Sequence, residues 1–382
     1  MKEIIFPNYD ESIINTMSTI LNHYGIQSNY AEIPILKEAL NRPYKNIVFM
    51  VFDGMGIDML QRNLKIDDIL NAKTKLNLTS VFPSTTTAAM TAYYAGMSPN
   101  EHGWLGWSLY FKEYGRCIDT FINTDSYSGE AIDGPHAGYT LMPYTHVLDQ
   151  IEVSTQNKIR SYMVEPENIK YMGKNTKIGV ESAVELFKEV KQLCDENHQK
   201  FIFCYWPDPD KTMHSTGCYS SETQQKIQEI NSLFSDITKN TTDTLFIVSA
   251  DHGLIDVEPT TWLNDYESLT ECFVMPPCIE KRALSFFIKP ELKIEFKTRF
   301  NQFFGDDFLL LTKDEAFEKG IFGLGASHPK TLDFVGDYLA CATGTKVLGY
   351  QPMTQNKKFD FTATHAGLTK EEMLVPLIIV ES

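Results

Sequence analysis

Five short segments of the sequence concentrate the carboxylate, imidazole and hydroxyl groups that metal-assisted chemistry requires. They are residues 51–56, 82–87, 209–214, 249–253 and 364–367. Their aspartates and histidines are Asp53, Asp210, His214, Asp251, His252 and His365. Oxygen and nitrogen donors of this kind suit zinc or, less selectively, manganese. Two such ions about 3.5–4 Å apart can stabilise the attacking and the leaving oxygen of a phosphoryl transfer, and the segments together predict that chemistry.

Residue spacing within two of the segments supports metal ligation. Asp210 and His214 are four residues apart, so both side chains lie on one side of a helical turn. Asp208 is the competing ligand, and the spacing to His214 favours Asp210. Asp251 and His252 are adjacent, and in the turn that follows a strand both can point towards one ion.

Three consecutive threonines, Thr85 to Thr87, precede a run of small residues that ends at Gly96. This pattern predicts a helix that starts at the threonines and stops at the glycine. A hydroxyl in the first turn of a helix lies beside free backbone N–H groups and the positive end of the helix dipole, where an anion is stabilised. A threonine alkoxide forms at neutral pH only with assistance, and a metal ion is one source of it.

The elements that must position these groups follow an alternating pattern of strands and helices. Apolar runs at residues 46–51, 200–205 and 245–248 predict strands buried on both faces, and each run leads into an aspartate-containing turn. Helical periodicity occupies residues 180–196 and 222–237. The fold class expected is α/β, with a mostly parallel central sheet flanked by helices and the site at the carboxyl ends of the strands.

Residues 255–350 have a different pattern of short strand, helix and strand segments. We interpret this range as a small inserted α+β cap or substrate subdomain. Residues 1–254 and 351–382 then form the α/β metal-binding core.

The motifs together resemble the alkaline phosphatase superfamily, in particular its nucleotide pyrophosphatase/phosphodiesterase branch. That branch shows a strand ending in D-G, then F-P-T-x-T with the last threonine as nucleophile, a glycine ten residues on, and P-x-x-H-G. Here residues 82–86 are F-P-S-T-T, Gly96 follows Thr86 by ten residues, and residues 99–103 are P-N-E-H-G. Both offsets select Thr86 as the nucleophile. The expected fold is alkaline-phosphatase-like.

The resemblance also implies two ligand sets. The P-D-x-x-x-H pattern and the late histidine assign one divalent ion to Asp210, His214 and His365. The S-D-H-G pattern, here with one inserted alanine, assigns the other ion to Asp53, Asp251, His252 and the Thr86 oxygen. Zinc is the expected metal and manganese the alternative.

One position departs from the branch pattern. Three residues after the nucleophile the branch usually has an asparagine that helps hold a phosphate oxygen, and here the residue is Ala89. The backbone N–H of Thr87 is one replacement. Trp107 and His328 are further candidate substrate contacts, Trp107 as an apolar wall for a leaving group and His328 from the cap.

Composition restricts the partners and the compartment. With 34 Lys+Arg against 50 Asp+Glu, the net charge is −16, which argues against a nucleic-acid polymer as the partner. Two bound divalent ions would still outweigh three aspartates, so a small phosphate ester remains a suitable substrate. The apolar runs are too short to predict a membrane span. Seven scattered cysteines and a poor secretory signal predict a cytoplasmic protein.

The resulting hypothesis is a two-metal hydrolase of phosphate esters that works through a phosphothreonine at Thr86. Lys211 is the single basic residue of the five segments other than histidine. This favours diesters or nucleotide pyrophosphates, because enzymes for the more highly charged monoesters usually add a cationic clamp. The alternatives are a phosphomutase or phosphotransferase, a phosphonate or phosphomonoester hydrolase, and a metal-binding protein without turnover.

Overall fold

The computed structural model describes residues 3–170, 172–351 and 360–382. Residues 352–359, within the predicted core range 351–382, lie outside that description. The strands are β1 (Asn46–Phe52), β2 (Thr74–Thr79), β3 (Ser108–Phe111), β4 (Arg116–Asp119), β5 (Thr124–Asp125), β6 (Arg160–Pro166), β7 (Thr176–Val180), β8 (Lys200–Trp206), β9 (Thr244–Ser249), β10 (Ile255–Asp256), β11 (Thr261–Trp262), β12 (Cys278–Glu280), β13 (Ala283–Phe286), β14 (Phe308–Thr312), β15 (Tyr338–Ala342), β16 (Leu348–Gly349), β17 (Ala363–Thr364) and β18 (Leu374–Glu381).

Helices cover the sheets and connect the strands. The α-helices are α1 (Ile13–His23), α2 (Pro34–Leu40), α3 (Ile57–Asn63), α4 (Ile69–Ala72), α5 (Thr86–Ala95), α6 (Pro99–His102), α7 (Ala137–Leu141), α8 (Val147–Ser154), α9 (Ala183–Asp195), α10 (Asp210–Thr216), α11 (Ser221–Asn240), α12 (Glu267–Thr270), α13 (Lys293–Phe304), α14 (Lys313–Glu318), α15 (Pro329–Phe334) and α16 (Lys370–Met373). Among them, α5 ends at Gly96, whose φ of 68° supplies the left-handed stop that the sequence predicted.

The central sheet has the strand order β2-β18-β9-β1-β8-β6-β7. Strand β1 pairs in parallel with β8 and β9, and β6 pairs in parallel with β8 and β7, whereas β18 runs antiparallel between β2 and β9. Every residue of β1 and β9 is buried, as their continuous apolar runs require. The predicted mostly parallel α/β sheet is confirmed.

A second sheet, with the order β14-β15-β13-β12-β3-β4-β5, is antiparallel throughout. Strands β12 to β15 belong to the predicted cap range 255–350, and β3 to β5 come from residues 108–125. The second sheet therefore joins two distant stretches of chain. The division into core and cap remains a prediction.

Among the described residues, no helix is both long enough and apolar enough to cross a membrane.

Candidate active site

The three predicted ligand aspartates lie at one edge of the central sheet. Asp53 directly follows β1. Asp210 is the first residue of α10, which follows the parallel neighbour β8, and Asp251 lies in the turn after the other parallel neighbour, β9. In the sheet register Phe52 at the end of β1 pairs with Trp206 at the end of β8, so the two strands finish level. The N–H of Asp210 donates to the carbonyl of Asp53 at 3.0 Å and connects the start of α10 to the end of β1.

A close approach of backbones makes this convergence possible. Gly54 has a φ of 71°, and a Cβ at this position would lie 2.9 Å from Cβ of Asp210 and 2.5 Å from Cδ1 of Leu254. Only glycine fits there without displacing the aspartate, which gives a physical reason for the D-G pair after β1.

Asp53, Asp251 and His252 form one group that could hold a metal ion. Nε2 of His252 is 3.5 Å from Oδ1 of Asp53 and 3.3 Å from Oδ2 of Asp251. The other oxygen of Asp251 accepts the backbone N–H groups of Gly54 at 3.0 Å and of His252 at 2.9 Å, which fixes the carboxylate. All three side chains are buried.

A second possible metal-binding group consists of Asp210, His252 and His365. Nε2 of His365 is 3.7 Å from Oδ1 of Asp210. His214 lies on the other side of that carboxylate, with Nε2 3.2 Å from Oδ2 of Asp210. The rings of His252 and His365 stack with their centroids 3.9 Å apart, so the two groups are contiguous.

The hydroxyl of Thr86, the first residue of α5, faces the same place. Its Oγ1 is 3.1 Å from Nε2 of His252 and 3.4 Å from Oδ2 of Asp53. The structure thus brings together the predicted nucleophile and all six predicted side-chain ligands, although the ligands come from four separate stretches of chain.

Each of the three imidazoles has its Nδ1 against a backbone carbonyl. Nδ1 of His214 is 2.8 Å from the oxygen of Ala363, that of His252 is 3.1 Å from the oxygen of Gly253, and that of His365 is 3.1 Å from the oxygen of Ser84. A carbonyl can only accept, so each Nδ1 carries a proton, and Nε2 is the nitrogen that each neutral imidazole can offer to a cation.

The site has ligand atoms for a divalent cation, and it contains buried carboxylate oxygens that no hydrogen bond from the described residues satisfies. Oδ1 of Asp53, Oδ1 of Asp210 and Oδ2 of Asp251 are buried without a hydrogen-bond partner in the described part of the chain. A buried carboxylate oxygen without a donor is costly, and a coordinated ion removes that cost. Three such oxygens beside three Nε2 atoms fit zinc or manganese.

The acidities of these groups point the same way. Burial raises the pKa of Asp53 and of Asp251, and the charges of Asp251 and Asp210 raise the pKa of Asp53 further. Burial opposes ionisation of Asp210 too, yet the adjacent His214 lowers its pKa to about 2. Burial lowers the pKa of His365 well below its ordinary value. A cation beside Asp53 and Asp251 would favour their ionised forms.

A cavity of about 1230 Å³ lies between the sheets, and its lining includes Asp53, Thr86, Asp210, His214 and His365. Of the predicted substrate contacts, Trp107 lines the cavity and is 39 % exposed. The side chain of Thr87 is buried away from it. His328 does not line it either, since it caps α15 and its N–H bonds the carbonyl of Asn100. Ala89 is buried in the central core and does not line the cavity.

Three residues at the site were missed by sequence reasoning. Tyr205, the penultimate residue of β8, donates its hydroxyl to Oδ2 of Asp53 at 2.5 Å. Glu280 and Lys281, at and after the end of β12, line the same cavity as Thr86. Burial raises the pKa of Glu280 to about 7 and lowers that of Lys281. Of the three, only Tyr205 could have been found from the sequence, because its hydroxyl lies at the end of an apolar strand that leads into the site.

A mostly parallel sheet carries buried carboxylates and imidazoles beside a hydroxyl at a helix N-terminus, and these are the groups that metal-assisted phosphoryl transfer uses. Residues 47–277 match the family described as type I phosphodiesterase / nucleotide pyrophosphatase, and the chain belongs to that family. The predicted enzyme class, a metal-dependent hydrolase of phosphate esters, is confirmed at this level.

Solved structures agree on the fold. Murine ectonucleotide pyrophosphatase / phosphodiesterase 5 superposes with a TM-score of 0.63 at 14 % identity over 88 % of each chain. Phosphonoacetate hydrolase from Sinorhizobium meliloti 1021, in complex with phosphonoformate, gives 0.62 at 14 % identity over 88 % of this chain and 90 % of that one. A comparison with curated proteins returns no significant match.

Proposed function

We propose that the protein is a two-metal hydrolase of phosphodiesters or nucleotide pyrophosphates that works through a phosphothreonine at Thr86. The observation that carries the proposal is the position of the Thr86 hydroxyl. It lies 3.4 Å from Asp53 and 3.1 Å from His252, next to buried carboxylate oxygens that lack donors. Asp53, Asp251 and His252 with the Thr86 oxygen would hold one ion, and Asp210, His214 and His365 the other.

The residues then have separate tasks in the reaction. When bound, the two ions would supply Lewis acidity that activates a hydroxyl and neutralises a leaving oxygen. Thr86 Oγ1 attacks phosphorus, the bond to the leaving alkoxide or phosphate breaks, and the phosphoryl group stays on the threonine. Water then cleaves the new P–O bond and restores the hydroxyl. The Nδ1–carbonyl bonds hold the three imidazoles in one orientation through both steps.

The size and lining of the cavity support a substrate with a large leaving group. A phosphate alone would fill little of 1230 Å³. Aromatic side chains form much of the wall, and they are Trp107, Phe121, Tyr127, Tyr139 and Tyr144. Such a wall would stack against a planar leaving group, which favours a nucleotide-like diester over a small monoester.

A second candidate substrate class is a phosphonate that carries another anionic group. Lys281 is the observation that favours it, because this residue lines the cavity and its Nζ lies 5.8 Å from the ring centroid of Trp262 and 5.4 Å from that of Phe361. The Phe361 ring is also 4.5 Å from that of His214, so the lysine is close to the proposed ligands. The sequence argument for diesters rested on the lack of a cationic clamp in the five segments. Lys281 lies outside those segments and weakens that argument.

One experiment separates these possibilities. Metal analysis of the purified protein should give two equivalents of zinc or manganese, and a chelator should abolish turnover that either ion restores. The loaded enzyme is then assayed on matched aryl monoesters, aryl diesters, nucleotide pyrophosphates and phosphonoacetate. Faster cleavage of the monoester than of the diester contradicts the diester assignment, and two bound ions without any hydrolysis would support a binding protein.

Two further predictions complete the proposal. Residues 255–350 act as the cap over the metal-binding core, since β12 brings Glu280 and the adjoining Lys281 to the cavity.

The compartment is the cytoplasm, because all seven cysteines are free and buried rather than paired in disulfides. Localisation of a tagged protein, followed by fractionation, tests the second prediction.

A further inference from the structure

The residue that precedes the nucleophile has the side chain and backbone of a helix cap but does not act as one. Thr85 is the N-cap of α5, with the extended backbone typical of that position, φ −139° and ψ 148°. A threonine there ordinarily accepts an N–H of the first helical turn through its hydroxyl oxygen. In this protein Thr85 makes no such bond.

The Thr85 hydroxyl is directed elsewhere by Glu280. It donates to Oε1 of Glu280 at 2.8 Å, across a sequence separation of 195 residues. The same carboxylate oxygen accepts the backbone N–H of Trp107 at 2.7 Å. Glu280 thus connects the second sheet, the loop at Trp107 and the start of the nucleophile helix, and it holds the hydroxyl of Thr85 turned away from α5.

The consequence is a first helical turn with unsatisfied donors next to the nucleophile. Within the described parts of the chain, the backbone N–H groups of Thr86, Thr87 and Ala88 have no acceptor. The nearby Asp53 and Asp251 each have a buried carboxylate oxygen without a donor. Free donors and free acceptors around one hydroxyl are what a bound phosphoryl group and its cations would satisfy.

We propose that Glu280 is a positioning residue which prevents Thr85 from capping α5 and so keeps the first-turn N–H groups available to the phosphoryl oxygens of the substrate. The inference rests on the proposed function and deepens it. It accounts for phosphoryl binding in a chain that has Ala89 where an asparagine is usual. Without Glu280, the freed hydroxyl of Thr85 would cap the helix and compete with the substrate.

The test compares Glu280→Ala with two double variants. Glu280→Ala should lower kcat for the preferred ester by about 10²- to 10³-fold, the range for loss of one oxyanion donor. Adding Thr85→Val, which removes the competing hydroxyl, should recover most of that loss. Adding Thr85→Ser, which keeps the hydroxyl, should not. Glu280→Gln retains an acceptor for Thr85 and Trp107 and should lose less than Glu280→Ala.

A binding readout independent of turnover accompanies the kinetics. Inorganic phosphate affinity, measured by calorimetry on the metal-loaded protein, should fall in Glu280→Ala and return in the variant that also carries Thr85→Val. Equal losses in the valine and serine double variants would overturn the positioning role, even if the wild type is an active esterase. Wild-type protein that binds metal yet hydrolyses no ester would instead refute the proposed function. If Glu280→Ala does not fold, Glu280→Leu, which fills more of the space and also lacks an acceptor for Thr85, is combined with Thr85→Val or Thr85→Ser and gives the same contrast.

Discussion

The backbone carbonyl of Ser84 faces Nδ1 of His365 at 3.1 Å, although 281 residues separate them in the sequence. The Ser84 hydroxyl makes a second bond to the same loop, donating to the carbonyl of Gly367 at 2.9 Å. The segment that leads to the nucleophile therefore orients a proposed metal ligand from the other end of the chain. Serine in place of the usual threonine keeps the hydroxyl that makes this contact.

Replacement of Thr86 by alanine should remove turnover without removing the metal site. Its hydroxyl is the proposed attacking group, so kcat should fall by about 10³-fold or more. The six side-chain ligands are unchanged, and metal content should stay near that of the wild type. Steady-state kinetics and metal analysis on the same preparation check both statements.

Two further measurements sharpen the Thr86 prediction. Thr86→Ser keeps a hydroxyl and should retain a measurable part of the activity. Acid quenching of the wild type during turnover, followed by mass spectrometry of its peptides, should locate a phosphoryl group on Thr86. Near wild-type activity in Thr86→Ala would exclude this nucleophile.

Removal of the Tyr205 hydroxyl should weaken metal binding. Burial raises the pKa of Asp53, and the hydrogen bond from Tyr205 opposes that rise and orients the carboxylate. Tyr205→Phe should therefore reduce metal affinity by about 10- to 100-fold, the usual effect of losing a partner behind a ligand. Competition with a chelator measures the affinity at constant pH.

Tyr162→Phe is the matched control for Tyr205→Phe. Tyr162 lies on the neighbouring strand β6, and its hydroxyl contacts Nε2 of His198 at 3.1 Å instead of a ligand aspartate. Metal affinity should be unchanged in this variant. Equal affinities in both tyrosine variants would show that the Asp53 contact has no part in ion binding.

The central sheet and the candidate ligand residues could be predicted from the sequence because both depend on local patterns. Runs of apolar residues specify β1, β8 and β9, and a parallel sheet places Asp53 and Asp251 at one edge. Glu280 had no such signal, since its partners Thr85 and Trp107 are far away in the chain. For His328 the sequence predicted a substrate contact. In the structure its N–H bonds the carbonyl of Asn100, and the residue does not line the cavity.

The second sheet also depends on long-range contacts that local sequence patterns do not predict. Strands β3 to β5 are two to four residues long, and they join β12 to β15 only through long-range pairing, such as Ser108 with Ile279. Periodicity over so few residues does not distinguish a strand from a loop. The contribution of residues 108–125 to this sheet was therefore not predictable from the pattern.

Loss of the buried Arg282–Glu372 ion pair should destabilise the fold. Both side chains are fully buried, and two bonds of 2.7 Å join them. Glu372 also accepts the N–H of Gly367, two residues after His365. Arg282→Met leaves this carboxylate without a countercharge and should lower the free energy of unfolding by about 3–5 kcal/mol.

Urea denaturation followed by circular dichroism measures the effect of Arg282→Met. The control is Lys191→Met, which breaks the helical surface pair of Lys191 with Asp195 and should change the free energy of unfolding by no more than about 0.5 kcal/mol. Similar losses in the two variants would contradict a special contribution from the buried pair.

Glu165 should make the stability of the metal-loaded protein fall as the pH rises through neutrality. Its side chain is 1 % exposed at the end of β6, and burial raises its pKa to about 7 although Lys177, 3.3 Å away, opposes the rise. The folded state therefore holds this proton more tightly than the unfolded chain, where the ordinary value of 4.5 applies. The stabilisation from the bound proton is complete below that ordinary value and is lost as the pH passes through 7. Between pH 6 and pH 8 the loss amounts to about 1 kcal/mol.

Glu165→Gln has no proton to lose, so the difference in unfolding free energy between wild type and variant should change by that amount over this range. Urea titrations at pH 6, 7 and 8 measure it, and a difference that stays constant with pH would show that Glu165 does not titrate there.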